Sequence, residues 1–134
     1  MILAVCIEDR GGMLFHRRRL SRDRAVAADL LREAGEGRLW ISPYSLPLFP
    51  EGAAALCPAE DFLERAGPGE LCFVEDRPCA LWAGKAERLI LYRWNRRYPA
   101  DLYFDIPLES WRLLERTEFP GSSHKLLTKE VYLP

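Results

Sequence analysis

The sequence has few of the residues that build metal clusters and disulfide frameworks. It contains four cysteines and only two histidines, His16 and His124. No two cysteines have the C-x-x-C spacing of a zinc or redox motif. Because Cys6 and Cys72 lie inside apolar runs, we expect reduced, buried thiols in a cytoplasmic protein, with no metal site. A phosphate-binding loop and the dinucleotide fingerprint G-x-G-x-x-G are both missing.

Long apolar runs and low-complexity tracts are missing as well. The first seven residues are apolar, but this run is too short for a secretion signal and no basic segment precedes it. No run approaches the length of a membrane span. The length of 134 residues favours a single domain over residues 1–134, and we expect no membrane partner.

Positive charge is concentrated rather than general. The net charge is -1, and sixteen of the nineteen basic residues are arginine. Residues 10–24 hold six arginines and one acid, Asp23. Arginine binds carboxylates and phosphates in a bidentate geometry, so the sequence favours a local anion-binding surface over a generally polyanion-binding protein.

Hydrophobic patterning predicts a three-layer α/β fold. Short apolar runs predict buried strands at 2–7, 39–41, 71–74 and 89–94, and a weaker strand at 53–56. A helical stripe through Val26 and Leu30 would begin at a Ser21 cap and end at Gly35. Alternating strands and helices indicate a mostly parallel central sheet, and residues 110–119 and 126–133 predict an antiparallel C-terminal hairpin.

The strand at 89–94 leads into a basic and aromatic segment. Its apolar part ends at Tyr92, and it is followed by Arg93, Trp94, Arg96, Arg97 and Tyr98. A buried strand that delivers arginines and aromatic rings to its end is typical of a ligand-facing edge.

The order of these elements resembles the dihydrofolate reductase family along nearly the whole chain. Residues 4–13 resemble the family's first strand and the start of its mobile active-site loop, with Gly12 at the loop's beginning. Residues 39–42, 70–74 and 86–92 resemble later strands, and 100–104 resemble the family's Gly-Asp-x-x-Phe segment. The resemblance implies the family's fold, a nicotinamide cofactor and hydride transfer.

Three departures from the family pattern argue against that activity. Where the family has the glycine pair that lets the dinucleotide approach the backbone, this chain has Glu75-Asp76. Two carboxylates at that position would repel a pyrophosphate. The family's Leu-Pro-Trp is Leu20-Ser21-Arg22. The position at which the family has a carboxylate on its first helix corresponds to about Ala27 in this chain, and the nearest acids in sequence are Asp23 and Asp29. NADPH is therefore disfavoured, and the identity of any cofactor stays open. The chain is also similar to short uncharacterised bacterial proteins, some of them labelled ribonuclease Z, but that enzyme's His-x-His-x-Asp-His cluster needs more histidines than this sequence has.

The implied fold brings three segments beside one cleft: 16–24, 93–98 and the turn of the final hairpin. They would form a cationic patch interleaved with aromatic rings, which we call the basic patch: His16, Arg17, Arg18, Arg19, Arg22, Arg93, Trp94, Arg96, Arg97, Tyr98, His124 and Lys125. Such a patch suits an anionic small molecule, a nucleotide or RNA. The alternative is that its arginines are solvated and paired with Glu8, Asp9, Asp23 and Asp101.

Three functional hypotheses follow. The first is a reductase-like fold that binds an anionic, nucleotide-like ligand at the basic patch. The second is an enzyme, either a divergent pterin reductase or a metal-independent ribonuclease that uses His124 together with His16. The third is a protein-docking module.

Turn chemistry accounts for Ser122 and Ser123 next to His124. We assign structural roles to Gly11, Gly12 and Asp101, with the Asp101 carboxylate holding the Gly11-Gly12 turn.

Overall fold

The computed structural model describes all residues, 1–134, and contains ten strands and two α-helices. In chain order they are β1 (Ile2–Ile7), β2 (Gly12–Phe15), β3 (Arg18–Arg19), α1 (Arg24–Ala34), β4 (Leu39–Ile41), β5 (Leu56–Pro58), α2 (Phe62–Arg65), β6 (Leu71–Val74), β7 (Arg88–Arg93), β8 (Leu102–Tyr103), β9 (Arg112–Phe119) and β10 (Leu127–Leu133). Short 3-10 turns cover Pro43–Leu48, Ala80–Lys85 and Leu108–Ser110. None of the helices has the length and apolar character needed to cross a membrane.

Seven strands form the main sheet in the order β5-β4-β6-β1-β7-β10-β9. The pairs from β5 to β7 are parallel, and β10 pairs antiparallel with both β7 and β9. The predicted mostly parallel sheet with an antiparallel C-terminal hairpin is confirmed. β1 occupies the middle of the sheet, with β7 beside it. The edges are the three-residue β5 and the eight-residue β9, whose side chains are exposed up to Glu118.

Each face of the sheet has its own hydrophobic core. Alternate residues of β7 supply both cores: Leu89 and Leu91 face the side covered by α2, whereas Ile90 and Tyr92 face α1. Helix α1 buries Val26, Ala27 and Leu30 on this second side. Apolar side chains on both faces explain why these strands are continuous apolar runs rather than alternating patterns.

Several boundaries differ from those predicted, and two of the differences have a clear physical cause. Helix α1 begins at an Asp23 cap rather than at Ser21, since Asp23 is extended (φ -152°, ψ 127°) and its Oδ1 accepts the Ala25 N–H at 2.8 Å. The weak strand predicted at 53–56 lies later, at Leu56–Pro58, because pairing with β4 determines its position.

A second, three-stranded sheet has the order β3-β2-β8 and was not predicted. No strand was predicted within residues 16–24, but Arg18 and Arg19 pair with Phe15 and Leu14 in a hairpin. Its turn residues, His16 and Arg17, both have positive φ (48° and 62°). A two-residue turn with both φ angles positive matches the right-handed twist of the flanking strands.

Candidate functional site

The carboxyl ends of the parallel strands carry a set of buried polar side chains. Glu8 follows β1, Ser42 follows β4, Glu75 follows β6, and all three are buried. Loops 16–23, 94–98 and 120–125 surround this end of the sheet. In open α/β sheets, ligands bind outside the carboxyl ends of the strands, so this is the end where a functional site is expected.

Asp23 is the centre of a buried hydrogen-bond network. Its Oδ1 accepts the N–H and hydroxyl of Ser122, at 2.8 and 3.0 Å, and its Oδ2 accepts the Ser123 N–H at 2.8 Å. The Asp23 Oδ2 and His124 Nδ1 atoms are 2.9 Å apart. Asp23 therefore both caps α1 and holds the turn of the C-terminal hairpin.

The other ring nitrogen of His124 faces a serine. His124 Nε2 lies 3.0 Å from Ser21 Oγ and 3.4 Å from the hydroxyl of Tyr98. The imidazole is buried and stacks on Trp94, with ring centroids 4.8 Å apart. Segments 16–24, 93–98 and the hairpin turn therefore meet, but they meet around a buried imidazole rather than around an open cleft.

Asp23 stays ionised in this network. Burial opposes its ionisation, but hydrogen bonds from His124 and from the amides of Ser122, Ser123 and Ala25 outweigh burial and hold the pKa of Asp23 well below its usual range. An ionised Asp23 is only an acceptor, so His124 Nδ1 carries a proton that points toward it. In the neutral ring, Nε2 is then an acceptor for the Ser21 hydroxyl.

A second buried cluster occupies the end of β6. The Glu75 carboxylate accepts two hydrogen bonds from the Arg19 guanidinium, both at 3.1 Å, and one from Ser45 Oγ at 2.8 Å. Arg19 also donates to the Tyr44 carbonyl and lies over the Tyr44 ring. Arg19 is thus held by the protein itself.

The carboxylate that holds the Gly11-Gly12 turn is Glu8, not Asp101 as predicted. Glu8 Oε1 accepts the N–H groups of Arg10 and Gly12, both at 2.8 Å, while Oε2 accepts the Tyr98 N–H at 3.3 Å. Burial opposes ionisation of Glu8, but these backbone hydrogen bonds lower its pKa. Asp101 is exposed and accepts the His16 N–H at 3.1 Å, so it supports the neighbouring β2–β3 turn.

Arg93, another member of the basic patch, points away from the others. It lies on the opposite face of β7 from Trp94 and shares the buried Glu130 with Arg116. Burial opposes ionisation of Glu130, but the two guanidinium groups lower its pKa. Arg93 therefore stabilises the β7–β10 pair instead of facing the loops.

The remaining arginines of the patch differ in being exposed. Arg17, Arg18, Arg22, Arg96 and Arg97 take part in no ion pair of the protein. Arg22 reaches only the Pro47 carbonyl, at 3.5 Å. The pairing with nearby acids that the sequence offered as an alternative does not apply to these five side chains.

Basic-patch residues line two separate surface pockets. The turn pocket, about 490 Å³, is lined by Phe15, His16, Arg18, Arg19, Leu20, Tyr98 and Pro99. The hairpin pocket, about 650 Å³, is lined by Trp94, Asn95, Arg96, Glu118, Ser123, His124, Lys125, Leu126 and Thr128. Tyr98 connects them, since it lines the first pocket and contacts His124 of the second. His16 and His124 therefore do not flank one common pocket.

Sequence reasoning missed the roles of Ser21, Asp23 and Glu75. Ser21 was expected to be a helix cap and Asp23 a partner of nearby arginines, yet both contact His124 more than one hundred residues away. No local pattern marks such a contact. The one signal was composition, because Asp23 is the only acid within the arginine-rich segment 10–24.

No protein-family model and no curated protein matches the sequence. Among solved structures, the chain is similar to a dihydrofolate reductase from Enterococcus faecalis complexed with NADP(H) and RAB-propyl. The match has a TM-score of 0.66 and covers 98% of this chain and 95% of that one, at 11% sequence identity. The chain thus has a dihydrofolate reductase-like fold, and the expected resemblance is confirmed at the level of the fold.

Proposed function

We propose that this protein binds an anionic, nucleotide-like ligand in the turn pocket. The observation that carries the proposal is a pocket that no carboxylate lines, in which Arg18, an exposed guanidinium without an ion pair, lies with the ring of Tyr98. The Phe15 ring also lines this pocket and is stacked on His16, with ring centroids 3.9 Å apart. A guanidinium binds phosphate oxygens, and an aromatic ring stacks on a nucleobase. The volume of about 490 Å³ is in the range of small-molecule sites.

The hairpin pocket is the weaker of the two candidates for a nucleotide. Its basic residues, Arg96 and Lys125, share the pocket with the carboxylate of Glu118. Trp94 is buried, and one face of its indole is covered by His124. The pocket thus offers charge but little free aromatic surface. It would extend the turn pocket for a longer anion such as single-stranded RNA.

Replacing Arg18 with alanine should weaken binding of a fluorescent adenine nucleotide about tenfold, since a hydrogen bond to a charged group is lost. The matched control is Arg88→Ala, which removes an exposed arginine at the start of β7, at the opposite end of the strand. Fluorescence anisotropy measured at several salt concentrations checks both variants. We expect the affinity of Arg18→Ala to depend less on salt than that of the wild type or Arg88→Ala, because salt screens the charged contact that this variant lacks.

Equal affinity in wild type, Arg18→Ala and Arg88→Ala would refute the turn pocket as the site. If Arg96→Ala/Lys125→Ala alone weakens binding, the ligand lies in the hairpin pocket instead. No nucleotide binding by the wild type would leave the protein-docking hypothesis as the better account of the exposed arginines.

We further propose that the protein does not act as an NADPH-dependent reductase. Glu75 at the end of β6 is buried against Arg19 and Ser45, and the adjacent Asp76 pairs with Arg77. A dinucleotide pyrophosphate there would meet two carboxylates. The space between α1 and the sheet, lined by Val26, Ala27, Phe49 and Trp94 among others, measures about 20 Å³, which is room for about one water molecule and not for a pterin ring.

An NADPH titration tests this second proposal. We expect no saturable change in tryptophan fluorescence on adding NADPH, once the absorbance of NADPH itself is corrected for, and no NADPH oxidation with dihydrofolate. The control is a competent dihydrofolate reductase in the same buffer. Micromolar NADPH binding together with turnover of a dihydropterin would overturn the proposal and restore the divergent reductase.

A further inference from the structure

Ser21, His124 and Asp23 are arranged in a way that the proposed nucleotide binding does not require. Ser21 Oγ, the His124 ring and the Asp23 carboxylate form a continuous chain, with 3.0 Å between Oγ and Nε2 and 2.9 Å between Nδ1 and Oδ2. We propose that they form a nucleophilic site that hydrolyses small carboxylic esters through an acyl-enzyme on Ser21. This inference does not depend on the proposed function.

Each of the three side chains has the environment that its role requires. Asp23 and His124 are buried, so the hydrogen bond between them lies in a low-dielectric environment that strengthens it. Ser21 is partly exposed and is one of the residues that line the narrow space beside α1. A nucleophile hydrogen-bonded to a base, which is itself oriented by a carboxylate, is recognised by this geometry and not by the order of the residues in the chain.

The side chains in contact with His124 hold its ring in this orientation. Asp23 accepts the Nδ1 proton, which leaves the Nε2 lone pair for the Ser21 hydroxyl. The Tyr98 hydroxyl at 3.4 Å is a longer, second contact to the same nitrogen. Stacking on Trp94 fixes the plane of the imidazole. The ring is therefore already held where a general base would stand, and no rearrangement of the buried network is needed.

The reaction balances with ester and water alone. The Ser21 oxygen bonds to the ester carbonyl carbon while His124 Nε2 takes the hydroxyl proton. The carbon–oxygen bond to the alcohol then breaks, and His124 returns the proton to the departing oxygen. Water attacks the acyl group on Ser21, gives its proton to His124, and the acid leaves as Ser21 regains a proton. The backbone N–H groups of Ser21 and Arg22 donate to no protein atom and can serve the charged oxygen of the intermediate.

The surroundings of Ser21 restrict the acyl group. Ala27, Leu48 and Phe49 belong to the apolar lining of the space that Ser21 also lines, which measures about 20 Å³. Since a space of this size has room for about one water-sized group, an acyl chain longer than that of acetate has no room there without movement of α1. The substrate class is thus an ester of a short, uncharged acid, such as an acetyl ester.

Labelling with an alkyl fluorophosphonate tests the site, because this reagent traps a serine activated by a neighbouring base. Intact mass and peptide mapping should find one adduct, on Ser21, in the wild type and none in Ser21→Ala or His124→Gln. The matched control is Ser110→Ala, which removes an exposed serine outside the network and should label like the wild type. Hydrolysis of p-nitrophenyl acetate should fall about 10²-fold in Ser21→Ala, and the octanoate should be a poorer substrate.

Near-UV circular dichroism and melting temperature establish that each variant is folded. Ser21→Ala removes one hydrogen bond at a partly exposed position, so we expect it to fold. A folded wild type that gains no adduct on Ser21, with the same acetate hydrolysis in wild type and Ser21→Ala, overturns the proposal. With that result, the role of the three residues would be only to join α1 to the C-terminal hairpin. Loss of labelling in Ser110→Ala would overturn it as well.

Discussion

Replacing Asp23 with alanine should lower the free energy of unfolding by about 3–5 kcal/mol, because the buried partners of the carboxylate lose their acceptor together. The variant removes the cap of α1, leaves the amides of Ser122 and Ser123 without an acceptor, and frees His124 Nδ1. Urea denaturation followed by circular dichroism measures the loss.

Asp101→Ala is the matched control for this prediction. Asp101 is also an aspartate that accepts a backbone N–H across a long sequence separation, but it is exposed and has one such contact, with His16. Its replacement should cost no more than about 0.5 kcal/mol. A loss below about 1 kcal/mol for Asp23→Ala would mean that water replaces the carboxylate and that the network contributes little.

Acid should reproduce part of the Asp23→Ala effect in the wild type. The pKa of Asp23 is lower in the folded protein than in the unfolded chain, so its stabilisation is complete above the unfolded pKa, about 4, and is lost as pH falls toward the folded pKa. Glu8 and Glu130 shift in the same direction. The wild type should lose stability from about pH 5 downward, and Asp23→Ala should lose less over the same interval.

Replacing Gly12 with alanine should cost about 2–3 kcal/mol through overpacking. An added Cβ would collide with the Cβ of Ala100 and lie 2.9 Å from both Cγ and Oε1 of Glu8. Because Glu8 holds the Gly12 and Tyr98 amides, moving it aside disturbs the turn and the loop after β7 together. Thermal denaturation should show a clear drop in melting temperature.

Gly84→Ala controls for the general effect of adding a methyl group. A Cβ at Gly84 would meet no atom within 4 Å, and its φ is not in the left-handed region. We expect a change within about 0.5 kcal/mol. If Gly12→Ala and Gly84→Ala have equal melting temperatures, the close approach of Gly12 to Ala100 can relax without cost.

The strands could be predicted from the sequence because their signal is local. A strand buried on both faces needs a short apolar run, and residues 2–7, 39–41 and 71–74 have one. The strands β3 and β8 have two residues each, which is too short for any periodicity to show. The Ser21 cap was wrong by two residues because serine and aspartate cap helices equally well. The extended backbone at Asp23 determines that the helix begins there.

The site could be predicted only in part, because residues distant in sequence determine which of its charged side chains are paired. The resemblance to the dihydrofolate reductase family predicted that segments 16–24, 93–98 and the hairpin turn lie together, and they do meet, around His124. Arg19 and Arg93 were expected to face a ligand, but the buried carboxylates of Glu75 and Glu130 bind them from 56 and 37 residues away. Pairing over such separations follows from the fold and not from spacing. The unpaired arginines were therefore indistinguishable from the paired ones in sequence.

The two edges of the main sheet have a consequence for how the protein behaves at high concentration. An edge strand exposes backbone groups that can recruit another chain into a growing sheet. Strand β9 presents Arg112, Glu115, Arg116 and Glu118 along its eight residues, and β5 is three residues long and ends at Pro58. Charge on one edge and brevity with a proline on the other disfavour the strand-to-strand addition that leads to aggregation.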